Sequence, residues 1–543
     1  MRYRNPVVRG FHPDPSVCRV GEEFYLATST FQFFPGIALA RSRNLVEWEA
    51  LGGAISRRSQ LDLSWTPPSR GLFAPTLRHG AGRFWLTCTE VDRLGNFILS
   101  APSIEGEWSE PRRIEVGGID PSLHFDGEGG VWLCSNDVAQ GKKGIAISAF
   151  DPESGRILEG PRHATAGTGG RWPEGPRLFK RGGAWYLLLS EGGTEYGHMV
   201  TIFRAASPWG PWEACPRNPV LSHRDVADNP IQCVGHADIV EDGSGRWWLL
   251  ALGTRSLGPL LHNLGREVFL SPLLWDVEGW PLVGEEGRLA LEMEGPLPGP
   301  PPASEPPGEE DGRRHVSLAP SGGIPGPEWR SPRQPWEGRV SVEAGGGLLL
   351  RGGREGLSTA LGAPTLALRP QGEFDARLAV SIEELEGGEG FEAGLVAYYD
   401  EDYHYEAFLA RRGGDRFAVL RRRVHDLEVE GSPVELGSET PLVIGLEATR
   451  EVYRFSLETG DSRIELGSGA VAGLCSEGTR AMSFLGVQLG LFCVGGLARM
   501  RLLELSEKAE EAGNVAGESL GTPASSDSGI TGEGPAMDSP APP

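Results

Sequence analysis

The stretch Asp14-Pro-Ser-Val-Cys-Arg-Val-Gly-Glu-Glu-Phe-Tyr-Leu-Ala27 runs from a small polar start through a short apolar pair and a Gly-bearing turn into an aromatic-rich strand. Four later stretches repeat it: Ala74-Pro-Thr-Leu-Arg-His-Gly-Ala-Gly-Arg-Phe-Trp-Leu-Thr87, Asp120-Pro-Ser-Leu-His-Phe-Asp-Gly-Glu-Gly-Gly-Val-Trp-Leu133, Glu174-Gly-Pro-Arg-Leu-Phe-Lys-Arg-Gly-Gly-Ala-Trp-Tyr-Leu187 and His236-Ala-Asp-Ile-Val-Glu-Asp-Gly-Ser-Gly-Arg-Trp-Trp-Leu249. Most of these hairpins are followed by another strand and a Trp-bearing turn, as in Ala38-Leu-Ala-Arg-Ser-Arg-Asn-Leu-Val-Glu-Trp48. A unit of about 50 residues holding a hairpin and one or two outer strands has the size of a four-stranded propeller blade. Five units predict an all-β chain that opens with a five-bladed β-propeller over residues 1–293.

Composition agrees. The chain has 543 residues, of which 78 are Gly and 43 Pro, about a fifth against roughly 12% in average usage. Such punctuation favours short strands joined by turns over long helices. No apolar run approaches the length of a membrane span, so a soluble multidomain chain is expected. With 51 Lys and Arg against 74 Asp and Glu, the formal charge is −23. That surface repels phosphate backbones, which argues against nucleic acid and anionic membranes as partners. Seven cysteines, mostly inside apolar runs and without a CxxC pair, read as small buried hydrophobes. The start Met-Arg-Tyr-Arg-Asn-Pro lacks the apolar core of a signal peptide, and a cytoplasmic address is expected.

Residues 294–335 are dense in Pro and Gly and read as an extended, partly disordered linker. Short alternating strands over 336–505, such as Ala393-Gly-Leu-Val-Ala-Tyr-Tyr399, predict an antiparallel β-sandwich of the concanavalin-like kind. Residues 506–543 read as a disordered acidic tail.

Innermost strands of a propeller line its channel, so equivalent first positions of the repeats converge. Those positions are read as Asp14, Ala74, Asp120, Glu174 and His236. Each has an ordinary explanation alone: Asp before Pro is a turn signal, and a buried His is usually core. Three carboxylates in one small space nevertheless raise each other's protonation cost, which is a mark of function. No Ser-His-Asp spacing, HExxH, Walker loop or dinucleotide fingerprint accompanies them. Paired carboxylates with aromatics suit glycoside hydrolysis. Phe31, Phe33, Phe34, Trp65 and Phe73 lie beside the first two inner strands, where some line a pocket and others fill core.

At these residues the chain resembles glycoside hydrolase family 43 β-xylosidases and α-L-arabinofuranosidases. The resemblance is carried by Asn5-Pro-Val-Val-Arg-Gly-Phe-His-Pro-Asp14, Gly71-Leu-Phe73-Ala-Pro-Thr, Ile119-Asp120-Pro-Ser, Glu174-Gly-Pro-Arg, Gly235-His236-Ala-Asp and Leu264-Gly-Arg266-Glu. It implies an exo-acting, inverting enzyme in which Asp14 is the general base, Glu174 the general acid and Asp120 the group that modulates the acid's pKa. It further implies substrate contacts for Phe31, Phe73, His236 and Arg266; the plain alternative for Arg266 is a salt bridge with Glu267. A calcium ion lies near the histidine matching His236 in some members, so calcium is entertained there, although no cofactor is expected to be required and no metal ligands are assigned. The sandwich lends a loop to the pocket rim in relatives, and Phe484 is the candidate. The chain departs from the family at Phe73, where Trp is usual, and at His12, where Asn is common. The expected substrate is a short xylo-oligosaccharide releasing β-D-xylose or α-L-arabinofuranose, with a non-catalytic sugar-binding propeller as the rival reading; a homo-oligomer is left open.

Overall fold

The computed structural model describes residues 1–258, 260–300, 309–310, 312–316, 323–343, 346–437, 442–459, 462–479 and 483–510. Five antiparallel four-stranded sheets follow one another, with innermost strands Ser16–Val20, Leu72–Gly80, Ile119–Phe125, Glu174–Arg181 and Ile231–Glu241. The fourth sheet carries one additional short strand, Leu221–Ser222. The five-bladed propeller read from the repeats is therefore present.

The second strand of most repeats is almost continuously apolar because both of its faces are buried. In Arg83–Glu90, Phe84, Leu86 and Cys88 pack toward the first blade, while Trp85 on the opposite face packs toward Leu123 and Leu133 of the third. The same alternation recurs at Leu187 and Leu189 against Tyr186 and Leu188 in the fourth blade. Between the fifth and first blades, Trp248, Leu250, Val268 and Leu270 meet Val17, Phe24 and Leu26. One apolar seam between each neighbouring pair thus holds the ring closed, and the strand Arg2–Arg4 pairs with Glu292–Glu294 beside the closure.

The second body is a β-sandwich. Two long antiparallel strands, Asp375–Asp400 and Gln488–Lys508, serve both of its sheets. The first half of the former pairs with Leu442–Ala448 and the second half with Tyr403–Arg412, with the register shift between Gly387 and Glu392. Helix among the described residues is confined to two short turns, Val471–Leu474 and Ser476–Gly478. None is long and apolar enough to cross a membrane.

Two expectations need correction. The second half of the presumed linker is packed structure: Ser331–Pro332 pairs with Phe33–Phe34, and Trp329, Arg330 and Arg333 are buried. Its proline content masked a tryptophan that needs burial and two arginines that bind carbonyls across the interface. Arg330 Nη1 donates to the Phe11 carbonyl at 3.2 Å and Arg333 Nε to the Thr66 carbonyl at 2.7 Å. The tail also begins later than expected, because Ser506 and Glu507 are buried in the last strand, which ends at Lys508 and pairs there with Arg313–His315. The rest of the expected tail, from 511, lies outside the described residues.

Candidate active site

The channel-facing carboxylates are aimed by backbone irregularities. In blades two to five, ladder pairing breaks between Phe73 and Thr76, Ile119 and Ser122, Glu174 and Arg177, and Gly235 and Asp238. Each break is a bulge, which re-aims a side chain at the cost of a ladder bond. Pro75, Pro121 and Pro176 occupy three of these bulges, where a residue without an N–H costs no hydrogen bond. Left-handed backbone is taken before two of the bulge prolines, at Asp120 (φ 57°) and Gly175 (φ 57°), at the equivalent His236 (φ 39°), and at Asp14 (φ 58°) in the first blade. Non-glycine residues are rare in that region and concentrate at functional sites.

This register corrects the repeat phase. The residue equivalent to Asp14 and Asp120 is Gly175, and Glu174 stands one position earlier, level with Phe73 and Ile119. The Glu-Gly-Pro and Asp-Pro-Ser spellings align on their acids in sequence, whereas the prolines mark the true phase. Gly175 is required as such: a Cβ there would lie 3.0 Å from His236 Cε1. Its N–H donates to Asp120 Oδ2 at 2.9 Å.

Asp14 is buried among donors. The Ser29 hydroxyl donates to Oδ2 at 2.6 Å and Arg266 Nη1 to Oδ1 at 3.2 Å, and His236 Nδ1 lies 3.8 Å from Oδ1. Burial alone would raise its pKa, but Arg266 foremost, with the Ser29 bond, outweighs it and holds the carboxyl below the usual aspartate range. Asp120 and Glu174 lie in the opposite situation. Burial, then the Asp14 charge, pushes Asp120 up; burial, then the Asp120 and Asp14 charges, pushes Glu174 well above the usual glutamate range. The cluster therefore holds one anion at Asp14 and keeps a proton on the Asp120 and Glu174 pair, predominantly on Glu174.

Arg266 is no surface ion pair. It is buried and also donates to Thr194 Oγ1 at 3.0 Å and to the Phe484 carbonyl at 3.2 Å, while Glu267 is bound by Arg255 instead. Phe484, from the sandwich, completes an aromatic wall. Its ring stacks on Phe31 at 5.8 Å and meets Phe73 edge-on at 5.7 Å, and the Arg266 guanidinium lies 5.3 Å from it. The Phe484 N–H is held by Ser69 Oγ at 3.0 Å. Phe33 and Phe34 are core, whereas Trp65 is exposed. A cavity of about 320 Å³ between the propeller and the sandwich reaches this cluster at Arg266, with Thr194, Tyr196, Ser483 and Glu477 among its walls. It lies beside the carboxylates, whose position is decided by the contacts to Asp14.

A model described as Glycosyl hydrolases family 43 matches residues 3–281, and one described as Beta xylosidase C-terminal Concanavalin A-like domain matches residues 322–500. The chain belongs to glycosyl hydrolase family 43. It is 34% identical to the protein named non-reducing end alpha-L-arabinofuranosidase BoGH43B of Bacteroides ovatus, over 91% of each chain. A solved Bacteroides ovatus structure named Xyloglucan PUL GH43B superposes with a TM-score of 0.85 at 33% identity, covering 93% of this chain and 99% of that one. The xylan beta-1,4-xylosidase from Bacillus halodurans C-125 superposes equally well, TM-score 0.85 at 28% identity, over 93% of this chain and all of that one. As a family 43 member the chain hydrolyses glycosidic bonds.

In this family 43 chain the resemblance did not mark the polar plug of the channel. The third residue of each repeat is Ser16, Thr76, Ser122, Arg177 or Asp238. Asp238 accepts from Ser16 Oγ at 2.8 Å and from Arg78 Nη1 at 2.8 Å, and Arg177 Nη1 donates to Thr76 Oγ1 at 2.8 Å. Charged residues at the centre of apolar strands were the available signal. Removing one partner of such a buried pair typically costs about 3–5 kcal/mol.

Calcium near His236 is an expectation of the family resemblance. Calcium takes about 6–8 oxygen ligands, and among the described residues no group of three His, Cys, Asp or Glu is placed to hold a metal. Burial lowers the His236 ring to about 3 against the pull of Asp14, so it is neutral, and its Nε2 is buried without a partner. A cation there would face Arg177 and Arg266, both of which already disfavour charge on the ring. His12 faces the sandwich, with Nδ1 3.3 Å from Thr28 Oγ1 and 3.4 Å from Arg330 Nη2.

Proposed function

We propose that the chain releases single pentosyl residues, β-D-xylosyl first, from non-reducing ends of short xylan-derived oligosaccharides, with inversion. The observation that carries this reading is the division of charge: Asp14 is held ionised by Arg266 and the Ser29 hydroxyl, while burial and Asp120 hold a proton on Glu174. Environments that drive two carboxyls apart in this way define a base and an acid. Asp14 takes a proton from the attacking water, and Glu174 gives one to the departing glycosidic oxygen. Asp120 raises the acid, and Arg266 orients the base. The Phe31, Phe73 and Phe484 wall closes one side of the pocket, which suits a chain end over a continuous polymer. Release of α-L-arabinofuranose is the second reading, favoured by the similarity to the Bacteroides ovatus arabinofuranosidase over 91% of each chain. Seven buried free cysteines support a reducing, cytoplasmic setting for the reaction.

The test is hydrolysis of nitrophenyl β-xyloside and nitrophenyl α-arabinofuranoside, with NMR of the first-formed anomer. Turnover with inverted product is expected; no turnover of either, or a retained anomer, overturns the reading. Asp120→Asn provides a second check. Glu174 is active while protonated, so kcat/KM falls as pH rises through its pKa. Removing the Asp120 anion stabilises ionised Glu174 and lowers that pKa. The basic limb of the profile is expected to move to lower pH, and a limb that stays or moves upward contradicts the assignment.

A further inference from the structure

Trp172 stands two residues before Glu174 with left-handed backbone (φ 49°), and it is 51% exposed. Both features are unfavourable for a large aromatic side chain in water, yet the backbone around it is held firmly. The Arg171 carbonyl accepts from the Gly192 N–H at 2.7 Å, and the Pro173 carbonyl accepts from Asn136 Nδ2. The preceding turn is tied to Glu191, a fully buried carboxylate that accepts from the Thr168 and Gly170 N–H groups, each at 2.9 Å from Oε2, and from Thr201 Oγ1 at 2.6 Å. Space for the indole is made by Gly193: a Cβ there would lie 2.8 Å from the Trp172 ring. The next residue, Thr194, lines the cavity and accepts from Arg266.

From this geometry we infer that Trp172 is a preset stacking platform for the sugar of the leaving group. Glu174 must meet the glycosidic oxygen on the side from which the leaving sugar departs, and Trp172 is anchored in the same short segment. Packing alone does not account for the residue, which is half exposed although the Arg171 guanidinium lies 5.9 Å from its ring. An exposed aromatic face on a rigid mount suits the apolar face of a pyranose ring, and ordering it before binding avoids an entropic cost. The inference rests on the glycosidase reading above and adds the residue that recognises the second sugar.

The experiment compares xylobiose with β-D-xylopyranosyl fluoride, whose leaving group is a single atom and cannot reach the indole. For Trp172→Ala, the ratio of kcat/KM on xylobiose to kcat/KM on the fluoride is expected to fall about five- to tenfold, mostly through KM. Trp172→Phe should retain most of the ratio. Because both substrates are measured on the same protein, partial unfolding lowers both values and leaves the ratio unchanged. A ratio within twofold of wild type in Trp172→Ala overturns the platform while the activity stands. Wild-type failure on both substrates overturns the reading of the activity, and the platform with it.

Discussion

Asp14→Asn is expected to lower kcat by about 10³- to 10⁴-fold on every substrate, whatever its leaving group. Arg266 Nη1 and the Ser29 hydroxyl converge upon the carboxylate, at 3.2 and 2.6 Å. An amide cannot take the proton of the attacking water, so the loss falls on nucleophile activation and is blind to the group that departs. Asn is the informative replacement because Asp14 sits at φ 58°. Asn tolerates left-handed backbone, whereas Ala would add strain of about 1–2 kcal/mol and confuse chemistry with folding. The measurement is kcat on xylobiose and on an activated aryl xyloside, with thermal unfolding as the control. Retention of more than a tenth of wild-type kcat on either substrate would remove Asp14 from the role of base.

The propeller was legible because its period is carried by chemistry that recurs: a Gly turn, then strands apolar on both faces, as at Phe84, Trp85 and Leu86. The acids were legible for the same reason, but their phase was not. Aligning Glu174 with Asp14 ignores that Pro176, like Pro75 and Pro121, marks the bulge, and the offset becomes visible only through the pairing of Glu174 with Ser190 and Arg177 with Leu188. Phe484 was reached through family resemblance alone. Its position depends on Ser69 and Arg266, residues more than 200 positions away in sequence, and no local pattern reports such a contact. Trp172 passed unnoticed because an isolated tryptophan in a Gly-rich stretch looks like buried core until its exposure is known.

The sandwich is part of the catalytic unit, which explains why a composition-based boundary failed near 323–335. Arg330 and Arg333 reach propeller carbonyls, Asn263 Nδ2 of the propeller donates to the Tyr453 hydroxyl at 2.9 Å, and Arg255 joins Glu267 to Glu373. They hold the sandwich against the propeller, where Phe484 meets Arg266 and Ser69. Charge pairs of this kind specify geometry more dependably than they add stability.

Glu174→Ala should divide substrates according to how much help their leaving groups need. On xylobiose, whose departing alkoxide is strongly basic, loss of the proton donor is expected to cost about 10²- to 10⁴-fold in kcat. On a dinitrophenyl xyloside, whose phenolate leaves readily without a proton, the loss should be small. The substitution is structurally mild: Glu174 is half-buried, lies on an ordinary strand paired with Ser190, and does not occupy the strained position next to it, which Gly175 takes at φ 57°. The pH profile adds a signed check. In the wild type, activity on xylobiose falls as pH rises through the raised pKa of Glu174, while activity on the activated substrate should fall little. In Glu174→Ala that basic limb should vanish from the residual xylobiose activity, while the acidic limb, which belongs to Asp14 and lies below the usual aspartate range, should remain on both substrates. Equal losses on both substrates, or a basic limb that survives the substitution, would mean that the proton comes from another group, and Asp120 would then be the first residue to examine.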